Sequence, residues 1–169
     1  MTDTRSDIKF RQQFPTGSPP TLNVVPWPDA ILDTHGHRPG SPYVEAVWLG
    51  ILGPSTTLCW SRISRIATAR PNAAIDITDL AVSLGLSGQL GRNAPITRTL
   101  SRMVMFGTAV RSGDALAVRR ALPDVPPRMA SRLSYTAQLA HRRWASIGTP
   151  DAAEQSVAAE LAPSPEMSL

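Results

Sequence analysis

The sequence predicts a mainly α-helical domain that carries one small β-hairpin. Apolar residues recur at helical spacing in several segments, most clearly between residues 94 and 106. A short turn at Ser112-Gly113-Asp114 separates two brief apolar stretches, which is typical of a hairpin. The 169 residues are 42% hydrophobic but only 5% aromatic, so aliphatic side chains must build most of the core.

The distribution of proline and charge predicts three regions. Residues 1–42 hold seven of the 16 prolines and predict an N-terminal arm that is extended or partly disordered. Residues 43–147 contain the periodic segments and predict the folded domain. Residues 148–169 are rich in Ala, Ser, Pro and Glu, and predict an acidic, disordered C-terminal tail.

The domain is predicted to begin with two helices. The first runs from Val44 to Leu52 and stops at Gly53, and the second opens at Pro54 and continues to about Ala69. A short strand is predicted at 75–77.

A third, short helix is predicted over residues 79–84. Thr78 is the expected N-cap, because its hydroxyl can accept a bond from a free amide of the first turn. Gly85 is the expected residue just beyond the helix end.

The fourth helix, residues 94–106, has the clearest amphipathic pattern. Asn93 is predicted to cap it, and Pro95 lies in its first turn. Its predicted core face consists of Ile96, Leu100, Met103 and Val104.

The hairpin is predicted over residues 108–119. Val110, Leu116 and Val118 are expected to face the core, with Arg111 and Arg119 turned outward. A last helical region follows, with apolar positions Leu133, Ala137, Ala140 and Trp144. The order of helix, helix, strand, helix, helix, hairpin and helix is typical of a winged helix-turn-helix domain with terminal tails.

Basic charge is concentrated in one part of the chain. Between Arg62 and Arg143 there are 13 arginines and four aspartates, although the whole chain carries only +4. Such a block favours polyanions, because neutralising phosphates releases condensed counterions. An Arg-rich composition imposed by a GC-rich genome is an alternative explanation for the residue type, but it does not explain the clustering.

The polar face of the fourth helix is the candidate DNA-binding surface. It carries Thr97, Arg98, Ser101 and Arg102, with Asn93 at its start. Arg suits bidentate contact with guanine, and Ser or Thr suits phosphate or base contacts. We therefore expect this helix to enter the major groove of duplex DNA. The alternative is an ordinary solvated polar face.

The hairpin is the candidate wing. Arg111 and Arg119 would contact phosphates, and Arg92 in the preceding loop would meet a phosphate near the start of the fourth helix. The alternative is a solvated turn in which the arginines serve solubility.

A partner surface is predicted on the first helix. Tyr43, Val47 and Ile51 share one side, and Trp48 lies beside them. They would form a homodimer contact, as DNA-binding domains often pair. Packing of this helix on its own domain is the alternative. A protein-interaction or assembly module built on the same fold is the second functional hypothesis.

Other site types have little support, and we expect a protein that is not an enzyme. The sequence has no phosphate-binding loop, no nucleophile elbow and no paired carboxylates on one helix face. Asp33, His35 and His37 lack a further ligand at suitable spacing, so neither a metal nor a cofactor is expected. Cys59, the single cysteine, suits a small core position.

The chain shows no apolar signal core and no stretch of 18 apolar residues. We therefore expect a cytoplasmic, nucleoid-associated protein without a membrane contact.

Several motifs resemble a family of small, uncharacterised actinobacterial proteins regarded as winged helix-like DNA-binding proteins. The resemblance spans about residues 35–145 and implies a winged helix fold with a role in transcription regulation. It implies that Arg98 and Arg102 lie on the recognition helix and Arg119 in the wing. The link from Gly85 to Asn93 is longer than in common helix-turn-helix proteins. The motifs are Pro42-Tyr43-Val44-Glu45, Trp48-Leu49-Gly50-x-Leu52-Gly53-Pro54, Ala81-x-x-Leu84-Gly85-Leu86, Pro95-x-x-Arg98-x-Leu100-x-Arg102, Phe106-Gly107 and Val118-Arg119-Arg120-x-x-Pro123.

Overall fold

Helices account for about half of residues 20–147, the part of the chain that the computed structural model describes. A four-stranded sheet makes the fold mixed α/β. In chain order the elements are β1 (Thr21–Trp27), α1 (Ala30–His35), a π-helical turn (Val44–Trp48), α2 (Leu49–Leu52), α3 (Pro54–Ala69), β2 (Ala73–Asp76), α4 (Ile77–Ser83), α5 (Pro95–Met105), β3 (Ala109–Ser112), β4 (Ala115–Arg119), α6 (Pro127–Ala130) and α7 (Tyr135–Ile147).

The chain forms two compact units. Among the described residues, the first unit comprises 20–29 and 54–120, and the second comprises 30–53 and 121–147. Within residues 20–147, no helix combines the length and the apolar character that crossing a bilayer requires.

The sheet of the first unit has the strand order β2-β1-β4-β3. Strand β1 is antiparallel to β2 and parallel to β4, and β3 and β4 form the hairpin. Alternating burial along β1 places Leu22 and Val24 in the core. Pro26 lies beyond the pairing with β2, where β1 has a single strand neighbour and a missing N–H is tolerated.

Strand β1 corrects two predictions. The fold is not a helical domain with only a hairpin and a single short strand, and the region 1–42 is not wholly an arm outside the domain. Its residues 21–27 supply a central strand of the sheet. High proline content predicts an unpaired arm, but the apolar alternation of β1 determines the structure of residues 21–27. Residues 1–19 and the predicted acidic tail, 148–169, lie outside the described residues.

The helices of the first unit follow the predicted order with corrected ends. Helix α3 has the predicted bounds. Helix α4 begins two residues early because Asp76, and not Thr78, is its N-cap: the Asp76 carboxylate accepts the Thr78 and Asp79 N–H groups at 2.7 and 3.1 Å. It ends in a Schellman motif, with Gly85 at φ +71° and the Leu86 N–H donating to the Ala81 carbonyl.

The hairpin lies close to the predicted place, but one strand faces differently. Leu116 and Val118 are buried as expected, whereas Val110 is exposed. Ala109 lies opposite Val118 in the ladder, so Ala109 takes the core position that was predicted for Val110.

The second unit is built around aromatic and aliphatic side chains. The predicted first helix is a π-helical turn followed by α2, which ends at Gly53. His37 and Leu122 exchange two backbone hydrogen bonds, of 2.8 and 2.9 Å. Helix α7 packs on the π-helical turn, and its predicted apolar positions Ala137 and Trp144 are buried.

Candidate nucleic-acid interface

Helix α5 is fixed along one side by the core of the first unit. Ile96, Leu100 and Met103 are buried as predicted, but Val104 is 37% exposed and Thr99 takes a core position instead. The Thr99 hydroxyl donates to the Pro95 carbonyl at 2.9 Å, which satisfies this polar group inside the core.

Both ends of α5 are set by local chemistry. Pro95 occupies the first turn as predicted, but the N-cap is Ala94 and no side chain caps the helix, so the capping role predicted for Asn93 is wrong. The helix ends at Phe106 in a second Schellman motif, in which Gly107 has φ +71° and the Thr108 N–H donates to the Met103 carbonyl.

The opposite side of α5 carries the predicted polar residues. Thr97 and Ser101 are half-buried, and Arg98 is exposed. Among the described residues, the Arg98 guanidinium has no hydrogen bond or ion pair. Arg102 lies one turn further on and is half-buried, with its guanidinium carbon 5.1 Å from the centroid of the Phe106 ring. Two arginines thus share one side of α5 in different surroundings.

The loop before α5 adds exposed polar groups. Arg92 and Asn93 are both exposed just before the helix. Neither α5 nor the loop 84–94 contains an acidic residue. The described residues of the first unit hold nine arginines and four aspartates, a net charge of +5. A phosphate approaching this side of α5 would therefore meet no carboxylate from these two segments.

The hairpin places Arg111 differently from the prediction. Arg111 lies opposite Leu116 in the ladder, and directly opposed residues project to the same face. Its side chain therefore shares the face of a core residue instead of turning away from it. Burial lowers the pKa of the Arg111 guanidinium, because leaving water penalises the charged form.

Arg119 does not face outward as predicted. Its guanidinium pairs with the Asp29 carboxylate at 2.6 Å and lies 3.8 Å from the centroid of the Trp27 ring. Its side chain is 19% exposed. Because the Arg119 guanidinium already binds a carboxylate and an aromatic face, it is not available for the predicted phosphate contact. The exposed tip of the hairpin is Ser112-Gly113-Asp114, which ends in an acid.

The predicted partner surface is inside the second unit. Tyr43 and Val47 are fully buried, and Trp48 is 2% exposed; Ile51 is half-buried. The Trp48 indole donates to the Pro123 carbonyl at 2.8 Å. These residues pack within their own unit, so the predicted dimer contact is wrong.

The Tyr43 hydroxyl has two partners in the second unit. It accepts the Val125 N–H at 2.9 Å and lies 2.7 Å from Nδ1 of His141. Burial raises the pKa of Tyr43 to about 12, partly offset by the bond from Val125, and the Asp124 charge adds to the rise. The phenol is therefore a neutral structural group near neutral pH.

His37 and Cys59 also occupy structural positions. Nε2 of His37 lies 2.7 Å from the Asp124 carboxylate, and the His37 ring stacks on Tyr43 with centroids 3.8 Å apart. Across residues 20–147, no three His, Cys, Asp or Glu side chains are grouped as metal ligands. Cys59 is buried in α3, and burial raises the pKa of its thiol to about 12.

Three residues that contact the candidate arginines were not identified from the sequence. Phe106 follows Arg102 by four residues, a spacing that brings side chains together on a helix and could have been noticed. Asp29 and Trp27 could not, because they precede Arg119 by about ninety residues.

Comparison of the chain with protein-family models, with curated proteins and with solved structures finds no match.

Proposed function

We propose that the first unit binds duplex DNA as a winged helix-turn-helix, with α5 as the recognition helix, and that the protein regulates transcription. The single observation that carries this proposal is the outward side of α5. It presents an exposed guanidinium at Arg98 that has no partner among residues 20–147, beside small hydroxyl side chains, on a helix with no acidic residue.

The element order supports the same interpretation. Helix α3, strand β2, helices α4 and α5 and the β3–β4 hairpin follow one another as in winged helix domains. An α-helix fits the major groove of B-form DNA, and hydroxyl and guanidinium groups match the hydrogen-bonding groups of base edges and phosphates.

The hairpin has a smaller role than its sequence suggests. Arg119 is held by Asp29, and the tip carries Asp114. We assign the accompanying phosphate contacts instead to Arg92 and Asn93, which are exposed in the loop before α5. Phosphate contacts of this kind fix the register of a protein on DNA without reading its sequence.

The alternative of a protein-interaction module loses one of its two predicted surfaces. That hypothesis used the Pro-rich N-terminal arm and the apolar side of the first helix, and Tyr43 and Trp48 on that helix are buried. Arg98, in contrast, is exposed on α5 as the DNA-binding hypothesis requires.

The test is binding of the full chain to fluorescent duplexes of random sequence at two salt concentrations. We expect affinity to fall steeply as salt rises, with the logarithmic slope set by the number of neutralised phosphates at about 0.9 per phosphate. Arg98→Ala should weaken binding at low salt, whereas Arg70→Ala, which removes an exposed arginine at the end of α3, should not. Equal binding by all three proteins would refute the role of α5.

A further inference from the structure

The outward side of α5 and the loop before it carry positive charge that the described part of the chain does not neutralise. Arg92 and Arg98 are exposed, and neither guanidinium has a hydrogen bond or ion pair among residues 20–147. Neither α5 nor the loop 84–94 contains an acidic residue. A surface of one sign attracts a segment of the opposite sign, so this side of α5 suits an acidic partner.

The chain itself contains an acidic segment. Residues 148–169, the acidic tail, follow α7 and hold four acids and no basic residue, a net charge of −4. The described residues of the first unit have a net charge of +5. The acidic tail therefore has the charge that the outward side of α5 lacks. Its acids are Asp151, Glu154, Glu160 and Glu166.

Two other occupants have the wrong charge. Residues 1–19 contain three basic residues and two acids, a net charge of +1. The first unit of a second copy would bring another +5 to the same surface. Because like charges repel, both pairings are unfavourable.

The length of the acidic tail allows the contact. Its 22 residues span up to about 75 Å when fully extended, roughly twice the diameter of a compact domain of about 130 residues. Covalent attachment gives such a segment an effective concentration on the order of a millimolar at a surface within its reach. An ionic contact that is weak between separate molecules can therefore be well populated within one chain.

We infer that the acidic tail binds the outward side of α5 in its own chain, with its carboxylates in the place of DNA phosphates. Duplex DNA must then displace the tail, which lowers the affinity of the protein for DNA and makes α5 self-inhibited. The regulatory consequence rests on the proposed function, whereas the docking of the tail does not require DNA.

Docking is tested without DNA, by NMR of the full chain with a spin label at Ser156→Cys. Cys59 is buried in α3, so the label attaches at position 156. At low salt we expect the label to broaden the amide signals of α5 and of the loop 84–94. The broadening should disappear at about 1 M salt, where the screening length is about 3 Å. Isotope-labelled chains mixed with spin-labelled, unlabelled chains should show no broadening, because the contact is within one chain.

Paired substitutions in the spin-labelled chain locate the docking site. Arg92→Gln with Arg98→Gln should remove most of the broadening on α5. Arg128→Gln with Arg142→Gln, which removes two exposed arginines of the second unit, should leave it unchanged. Thermal unfolding of each variant checks that the fold is intact.

The effect on DNA is tested with a tail-neutral variant, Glu154→Gln with Glu160→Gln and Glu166→Gln. Its affinity for a duplex of random sequence should exceed that of the wild type roughly 5- to 100-fold at low salt. The gain should narrow as salt rises, because salt screens the contact between the tail and α5.

A matched control raises the net charge by the same three units outside the tail. It combines Asp3→Asn, Asp7→Asn and Glu45→Gln, and its gain in affinity should be much smaller. An equal gain in the two variants would attribute the effect to net charge and overturn the inference.

The remaining outcomes separate this inference from the proposed function. Broadening confined to the second unit, broadening seen only between separate chains, or broadening that survives the Arg92 and Arg98 substitutions would each overturn the docking and leave DNA binding in place. Docking without a gain in affinity for the tail-neutral variant would overturn self-inhibition. If neither the wild type nor the tail-neutral variant binds DNA, the proposed function is wrong, and the spin label alone decides whether the tail docks.

Discussion

Arg119 and Asp29 form an ion pair of 2.6 Å although ninety residues separate them in the chain. The guanidinium also lies 3.8 Å from the centroid of the ring of Trp27, the last residue of β1. These two contacts join the end of β1 to the end of β4. Arg119 is therefore part of the framework that holds the sheet together.

Breaking this pair should reduce stability and leave DNA binding nearly unchanged. Asp29→Asn or Arg119→Gln removes a charged hydrogen bond, and the free energy of unfolding should fall by about 1–3 kcal/mol. Chemical denaturation measures the loss, with Arg70→Gln as a matched control that removes an exposed arginine. If an Arg119 variant bound DNA more weakly but remained as stable as the wild type, Arg119 would have to contact DNA, contrary to this prediction.

Alkaline pH should destabilise the protein through Tyr43. The pKa of Tyr43 is about 12 in the folded chain, above the value of about 10 for a solvated phenol. The folded state therefore holds this proton more tightly than the unfolded state. The resulting stability is fully present below pH about 10 and is lost as pH rises towards 12.

Denaturation across this pH range measures the effect. The raised pKa of Cys59 acts in the same direction, so the contribution of Tyr43 is the difference between the wild type and Tyr43→Phe. The substitution should also cost about 1–3 kcal/mol at neutral pH, because the Val125 N–H loses its acceptor. Parallel curves for the two proteins between pH about 10 and 12 would contradict the prediction.

Replacing Gly36 or Gly107 should lower the stability of the fold, for a different reason at each position. A Cβ at Gly36 would lie 2.6 Å from the Leu32 carbonyl oxygen, so Gly36→Ala should cost roughly 1–3 kcal/mol through a backbone clash. At Gly107 a Cβ would meet nothing within 4 Å, and φ is +71°. Gly107→Ala should therefore cost about 1–2 kcal/mol through backbone strain alone.

Asparagine distinguishes the two causes, because it tolerates the left-handed region better than alanine does. Thermal unfolding should show that Gly107→Asn is milder than Gly107→Ala. At Gly36 the larger side chain should be no better than alanine. The reverse order at either glycine would show that the wrong cause was assigned there.

The sequence predicted the elements whose interactions are local. Helix α3 and the buried side of α5 follow from helical periodicity, and the hairpin follows from the turn around Gly113. Thr78 and Asp76 show the limit of this approach, since both can cap a helix and only the backbone geometry decides between them.

Interactions between distant segments could not be predicted in this way. An apolar stripe at Tyr43 and Val47 indicates that one side of the segment is covered, but not whether the cover comes from the same chain. The pairing of β1 with β4 and the capture of Arg119 by Asp29 depend on residues far apart in sequence. A single sequence provides no record of such pairs.

The central position of β1 has a consequence for folding. Asn23 is paired with Ala115, so the sheet cannot close until nearly the whole of the first unit has left the ribosome. Pairing across so long an interval slows folding, and until then the hairpin lacks its neighbour. A fragment that starts at residue 43 would lack β1, so neither β2 nor β4 would have the strand that lies between them in the sheet.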